Sequence, residues 1–146
     1  MENNTKQLDF KNLNIDGFTT PCPITVFAND SISSVILKLE ENTIRHLPVV
    51  DEENIAVGVI TDRDISTIKS FAFKADFKVK DLMSEDPICV PEGMNLMEAA
   101  FTMSSKKLGS LIVTNSSGDV SGIFTNTDAL NALVEVLRGE ILESDL

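Results

Sequence analysis

Sliding the chain along itself by 64 positions brings it into register with itself without a gap. Pro23-Ile24-Thr25-Val26 falls on Pro87-Ile88-Cys89-Val90, Leu47 and Val49 fall on Leu111 and Val113, and Gly58 falls on Gly122. Thr61 and Asp64 then meet Thr125 and Asp128. Where identity fails, apolar character persists: Ile32, Val35 and Leu39 face Leu96, Ala99 and Met103, and Ile15 and Phe18 face Val79 and Leu82. The simplest account is two homologous halves of about 60 residues, each too small to bury a comfortable core alone. The 146 residues should therefore form one compact module built from two copies.

Period and punctuation give the order of elements within each half. After the proline and a short β-branched run, Ser31 or Asn95 stands as an N-cap. Apolar residues at helical spacing follow, Ile32, Val35, Ile36 and Leu39 in one half and Leu96, Ala99, Ala100 and Met103 in the other. Two short strands come next, Leu47 to Val50 and Ala56 to Ile60, joined by the turn-prone Asp51-Glu52-Glu53-Asn54; the counterpart turn is Asn115 to Asp119. Each hairpin ends in Thr, then Asp62 or Asn126 as a cap, then a second helix with Asp64 or Asp128 in its first turn. The unit reads β-α-β-β-α, and the fold class is α/β (α+β).

The divisions follow: a loosely held polar segment over 1–13, a first motif over 14–70, a connector over 71–78, a second motif over 79–139 and an acidic tail over 140–146. The connector region carries Phe71, Phe73, Phe77 and Val79 among lysines, so it should pack onto the module. The last helix carries one stripe at Leu130, Leu133, Val134 and Leu137 and another at Ala129, Ala132 and Val136. Its own sheet can cover only one, so the other should meet the other repeat or another chain.

With 12 Lys+Arg against 23 Asp+Glu, the net charge of −11 opposes delocalised binding to nucleic acid or to an anionic membrane. No secretory leader pattern or membrane-length apolar run is present, and Cys22 and Cys89 form neither a disulfide framework nor a zinc quartet; a cytoplasmic protein is the expectation. No Gly-rich phosphate loop or nucleophile elbow occurs, neither cysteine has a base paired with it in sequence, and the one histidine lacks ligand spacing for a metal. Catalysis is not expected, and no obligatory cofactor or metal is.

The segments Ile44-Arg45-His46-Leu47-Pro48-Val49-Val50-Asp51 and Gly58-Val59-Ile60-Thr61-Asp62-Arg63-Asp64 resemble those of tandem cystathionine-β-synthase-type (CBS) pairs, the Bateman module. Val79-Lys80-Asp81-Leu82-Met83-Ser84 and Gly122-Ile123-Phe124-Thr125-Asn126-Thr127-Asp128 extend the likeness through the second half, most closely to small stand-alone pairs of the acetoin-utilisation type. The resemblance implies two motifs related by a pseudo-twofold axis, clefts on either side of their contact, and a homodimer through helices of both motifs. It also implies a regulatory role: an adenosine-containing ligand (AMP, ADP, ATP or S-adenosylmethionine) binds in a cleft and an unidentified effector protein receives the signal. The alternative is a ligand-independent dimerisation or interaction module whose pockets have decayed.

An adenosine nucleotide needs an acceptor for its ribose diol, a wall for adenine and donors for phosphate. Asp64 and Asp128 can accept both hydroxyls, although an Asp in a first helical turn is also explained by the dipole. Thr61 and Thr125 can donate to ribose or phosphate, or simply bond locally. The resemblance places Arg45 and His46 on the phosphate side with Arg63 nearby, and an adenine wall at Thr25 and Val26 and at Cys89. Ser110 occupies the second-repeat slot of His46, Gly109 that of Arg45 and Thr127 that of Arg63; Lys106 and Lys107 come a little earlier, as partial compensation or as a response to the helix dipole. The two sites should therefore be unequal, one suited to a phosphorylated nucleotide and the other weaker, suited to a less charged adenosine compound, or empty.

Overall fold

The computed structural model describes residues 10–21, 24–66, 68 and 76–139. In chain order these form β1 (Thr20–Pro21), β2 (Val26–Phe27), α1 (Ile32–Asn42), β3 (His46–Val50), β4 (Ala56–Thr61) and α2 (Asp62–Ser66). There follow α3 (Val79–Leu82), β5 (Ser84–Glu85), β6 (Cys89–Pro91), α4 (Leu96–Lys106), β7 (Ser110–Thr114), β8 (Val120–Thr125) and α5 (Asn126–Arg138). The offset of 64 carries α1 onto α4, β3 onto β7 and β4 onto β8 residue for residue.

Local chemistry sets the boundaries. Ser31 and Asn95 cap α1 and α4 by accepting the amides of Ser34 and Glu98. Both helices stop on a left-handed residue, Thr43 (φ 51°) and Lys107 (φ 55°), whose amides turn back onto Leu39 and Met103 carbonyls. The Asp51 carboxylate accepts the amides of Glu53 and Ile55, and the Asn115 side chain those of Ser117 and Asp119, closing the two hairpin turns.

The sheets are not divided as the repeats are. One runs β2-β3-β4-β5 and the other β1-β8-β7-β6, so each repeat's first strand pairs with the last strand of the other repeat. Thr20 lies opposite Ile123 and Pro21 opposite Gly122; Glu85 lies opposite Gly58 and Ser84 opposite Val59. The preceding segments cross as well. Ile15 is fully buried with Val90, Ala99, Leu111 and Phe124, whereas Val79 is fully buried with Val26, Ile32, Leu47 and Ile60. The Leu96 amide donates to Leu13 O (2.8 Å), and its counterpart Ile32 to Phe77 O (2.9 Å).

Each sequence motif is thus completed in space by about ten residues from the other. Leu13 is 2% exposed, so the loosely held segment does not extend to residue 13; its first nine residues, like Phe71, Phe73, Cys22 and the acidic tail, lie outside the described residues. Phe77 and Val79 do pack onto the module.

The halves also meet through Val50, Ile112 and Val120, packed with Ala56. Asn54 and Val120 are joined by two bonds there, backbone Val120 N to Asn54 O at 3.0 Å and the side-chain Asn54 Nδ2 to Val120 O at 3.1 Å. The last helix buries one of its two apolar stripes on its own module. Ala132 is buried and Ala129 and Val136 half-buried, but Leu130 (62%), Leu133 (52%) and Leu137 (77%) face outward with Val134, covered by neither repeat.

The crossing requires two glycines. A Cβ on Gly58 would come within 2.8 Å of Ser84 O and Met83 Sδ, and one on Gly122 within 2.6 Å of Thr19 Cγ2 and 2.9 Å of Thr20 O. Gly58→Ala and Gly122→Ala should each lower stability by about 1–3 kcal/mol in denaturant titration, because backbone must shift. Gly17→Ala, with nothing within 4 Å, should stay within about 0.5 kcal/mol of the parent.

Candidate functional site

Both halves place their candidate residues at one end of the sheet, where the third strand begins and the fourth runs into a helix. His46, first in β3, lies opposite Thr61, last in β4; Ser110 lies opposite Thr125 in the same way. The carbonyl of the preceding residue accepts the first helical amide, Asp62 N to Arg45 O at 2.9 Å and Asn126 N to Gly109 O at 3.1 Å.

The helix caps are the threonines, one residue earlier than the Asp62 and Asn126 expected from sequence. Asp64 N donates to Thr61 Oγ1 (3.2 Å) while Asp64 Oδ2 accepts from Thr61 N (2.9 Å), a reciprocal capping box. Asp128 N to Thr125 Oγ1 (3.3 Å) and Thr125 N to Asp128 Oδ2 (2.8 Å) repeat it. The box uses only Oδ2 of each carboxylate; Oδ1 has no partner among the described residues. The two boxes differ in one bond: the Thr125 hydroxyl also donates to Asp128 Oδ2 (3.0 Å), whereas no such donation ties up the hydroxyl hydrogen of Thr61.

A second difference lies in the backbone. In the second half the Ile112 amide donates to Ile88 O at 3.0 Å. At the matching position stands Pro48, which has no N–H, so the Ile24 carbonyl receives no equivalent bond. Thr25 is half-buried beside it, but Val26 is 1% exposed in the core and offers a ligand only its backbone. Cys89, the counterpart of Thr25, is exposed as a residue, its thiol donating weakly to Pro87 O (3.8 Å); the apolar surroundings push that thiol above its ordinary pKa.

Arg45, in the bend just before β3, and His46, first in β3, diverge. Arg45 is exposed and lines a cavity of about 390 Å³ with Ile36, Leu39, Glu40, Asp62 and Ile65. His46 turns inward against Gly109, and its Nδ1 is buried without a partner among the described residues. Burial holds its pKa below 6.5, helped by Arg45 and Arg63 and opposed by Asp62 and Asp64, so four charged side chains of the first half act on one imidazole. Asp62 and Gly109 were not among the residues singled out for the site from sequence. Among the described residues no group of His, Cys, Asp or Glu is placed to hold a metal ion, and no helix is long and apolar enough to cross a membrane.

A histidine with a lowered pKa binds fewer protons folded than unfolded near pH 6, so stability rises with pH there. Unfolding free energy should fall as pH drops below about 6.5 toward the lower folded value, and level off above about pH 7.5. His46→Gln should flatten that slope in pH-dependent denaturant titrations; an unchanged slope would assign it to other groups.

The CBS domain family model matches residues 15–69 and 79–135. The chain is 35% identical over 107 residues to inosine-5'-monophosphate dehydrogenase of Methanocaldococcus jannaschii, 73% of this chain but 21% of the enzyme; it thus spans about a fifth of the length of that relative. CBSX2, a CBS-pair protein of Arabidopsis thaliana, is similar in its complex with AMP, with TM-score 0.75 and 27% identity over 86% of this chain and 99% of that one. The CBS domain pair of protein MJ0100, in complex with 5'-methylthioadenosine and S-adenosyl-L-methionine, gives TM-score 0.74 and 27% identity over 82% and 98%. An acetoin utilization protein (AcuB) of Vibrio cholerae shares the fold at TM-score 0.78, with 22% identity over 88% and 97%.

Proposed function

Since this chain belongs to the CBS domain family and carries two of its motifs in tandem, we propose that it is a regulatory module, binding an adenosine-containing ligand between the motifs and signalling to a partner protein. The ligand class is AMP, ADP, ATP or S-adenosylmethionine, by likeness to the pairs bound to AMP and to S-adenosyl-L-methionine. The observation that carries the reading is the Asp64 carboxylate. It is fixed by the capping box through one oxygen, leaving the other to accept a ribose hydroxyl. Around it, the Thr61 hydroxyl donates to ribose or phosphate, the Ile24 carbonyl accepts the adenine amine, and His46 and Arg63 face the phosphate. The ligand acts by favouring one arrangement of the motifs or of a dimer, by no more than its differential affinity for the two.

The second cleft, with Asp128, Thr125, Ser110 and Cys89, has no cation in the slots of Arg45 and Arg63. It suits a less charged adenosine compound.

Saturation at 100 times the dissociation constant should stabilise the protein by about 2.7 kcal/mol, several degrees in thermal shift. Asp64→Asn keeps an acceptor for Thr61 N, so the unliganded protein should melt near the parent while losing most of the AMP shift. No shift with AMP, ATP or S-adenosylmethionine up to millimolar concentration would favour a ligand-independent interaction module.

The partner surface begins with a second copy of the chain. Leu130, Leu133 and Leu137 on α5, with Met97 (60%) and Phe101 (72%) on α4, form an exposed apolar set on the second half's helices. A twofold axis through that set lets each stripe cover its copy. Leu133→Glu with Leu137→Glu should shift the protein from dimer to monomer in sedimentation, while AMP binding persists.

A further inference from the structure

We propose that His46 is shared by the two clefts, so that a phosphate-bearing ligand held on one side of the pseudo-twofold axis disfavours a second on the other. The inference rests on the adenosine-ligand reading and deepens it.

The geometry is that of one side chain filling a place vacated by another. The 64-residue offset makes Gly109 the counterpart of Arg45 and Ser110 that of His46. A contact between residues 46 and 109 therefore lies beside the axis that relates the halves. A Cβ on residue 109 would stand 2.7 Å from His46 Cε1 and 3.4 Å from Nε2, so the imidazole occupies the space that a second-half side chain would need. Gly109 is what admits it.

From that position His46 lies against the start of both helices. On its own side it is paired with Thr61, next to Asp62 and within the field of Asp64. On the other it packs on Gly109, the residue whose carbonyl receives the first amide of α5, where Thr125 and Asp128 form the second capping box. Its Nδ1 is buried and has no partner among the described residues, which leaves a polar atom able to take a polar neighbour.

The charged groups that act on His46, namely Arg45, Arg63, Asp62 and Asp64, all come from the first half; the matched second-half slots hold Gly109, Ser110 and Thr127. A phosphate in either cleft can draw a proton onto the imidazole and accept its N–H. One imidazolium offsets one charge of one phosphate and can donate to only one of them at a time. The second anion then meets a first held nearby, with the shared imidazolium already engaged. A neutral adenosine compound escapes this competition.

His46 is the only histidine, so its imidazole resonances are assigned without further labelling. The experiment follows them by nitrogen–proton NMR while AMP is added to Asp64→Asn, which leaves the second cleft intact, and to Asp128→Asn, which leaves the first. Both titrations should shift the signals and raise the midpoint of His46 protonation. In the parent, calorimetry should show a second AMP at least about tenfold weaker than the first, as expected for two charges ~10 Å apart at an intermediate dielectric. Adenosine should fill both clefts without that separation, and His46→Gln should narrow it to the part that Arg45 and Arg63 set; an unchanged separation would overturn the sharing.

AMP binding to Asp64→Asn with silent His46 signals would overturn the sharing, as would two equal AMP sites in the parent. Gly109→Ala supplies the ligand-free check, since a displaced ring must shift the His46 signals; no change would overturn the contact. Failure of the parent to bind AMP, ATP or S-adenosylmethionine would overturn the proposed function itself, and the sharing with it.

Discussion

The close approach of two short strands to Gly58 and Gly122 holds the two repeats together. A two-residue strand has too few ladder bonds to persist alone, and β1 and β5 have two register pairs each. What fixes them is the backbone-to-backbone contact that an absent Cβ permits, together with Ile15 and Val79, each anchored in the opposite core. Unfolding either half exposes a fully buried side chain belonging to the other, about 1.5–3 kcal/mol of apolar burial for each such residue. The pair therefore behaves as one cooperative unit, and the placement of His46 against Gly109 inherits its precision from that interlock.

The same economy governs the candidate ligand groups. A threonine that caps a helix and an aspartate three residues on that bonds back satisfy two orphan amides at each helix start. This fixes each carboxylate before any ligand arrives, so little side-chain entropy remains to be lost on binding. Structural and ligand-binding roles for Asp64 are thus not rivals, because a carboxylate has two oxygens and the cap needs one. Truncation to alanine would confound the two, which is why the amide replacement is the informative one.

Much of this was legible in the residues. The repeat, the caps at Ser31 and Asn95, both hairpin turns and the Thr–x–x–Asp sites follow from local chemistry, which sequence displays directly. The exchanged strands do not, because Thr20 finds its partner at Ile123 and two residues carry no period. The assignment of the cap to Asp62 and Asn126 missed by one residue, since Thr, Asp and Asn are all good caps and only the geometry selects among neighbours. The split between Arg45 and His46 was not legible, because Arg45 stands in a bend just before β3. Nor was its consequence, because only the packed structure brings Gly109 to His46. The leucine stripe of α5 needs cover by its sequence pattern, and among the described residues it has none.

At the candidate ligand slots the differences between the halves fall in one direction. Pro48 leaves the Ile24 carbonyl without the bond that Ile112 gives Ile88, and the Thr61 hydroxyl hydrogen is uncommitted where that of Thr125 is tied to Asp128. Arg45, His46 and Arg63 stand where the second half has Gly109, Ser110 and Thr127. At these slots each change gives the first half an acceptor, a donor or a cation that the second lacks, whereas just before them Lys106 and Lys107 stand where the first half has Asn42 and Thr43. A chain of net charge −11 repels anions at long range, but screening confines that field to roughly 8–10 Å. Inside that distance local charges decide, and the cations at the candidate ligand slots, Arg45, His46 and Arg63, belong to the first half. Gly109 then follows as part of the same asymmetry: a larger residue there would evict His46 from the junction, and the one imidazole would serve a single cleft rather than stand between two.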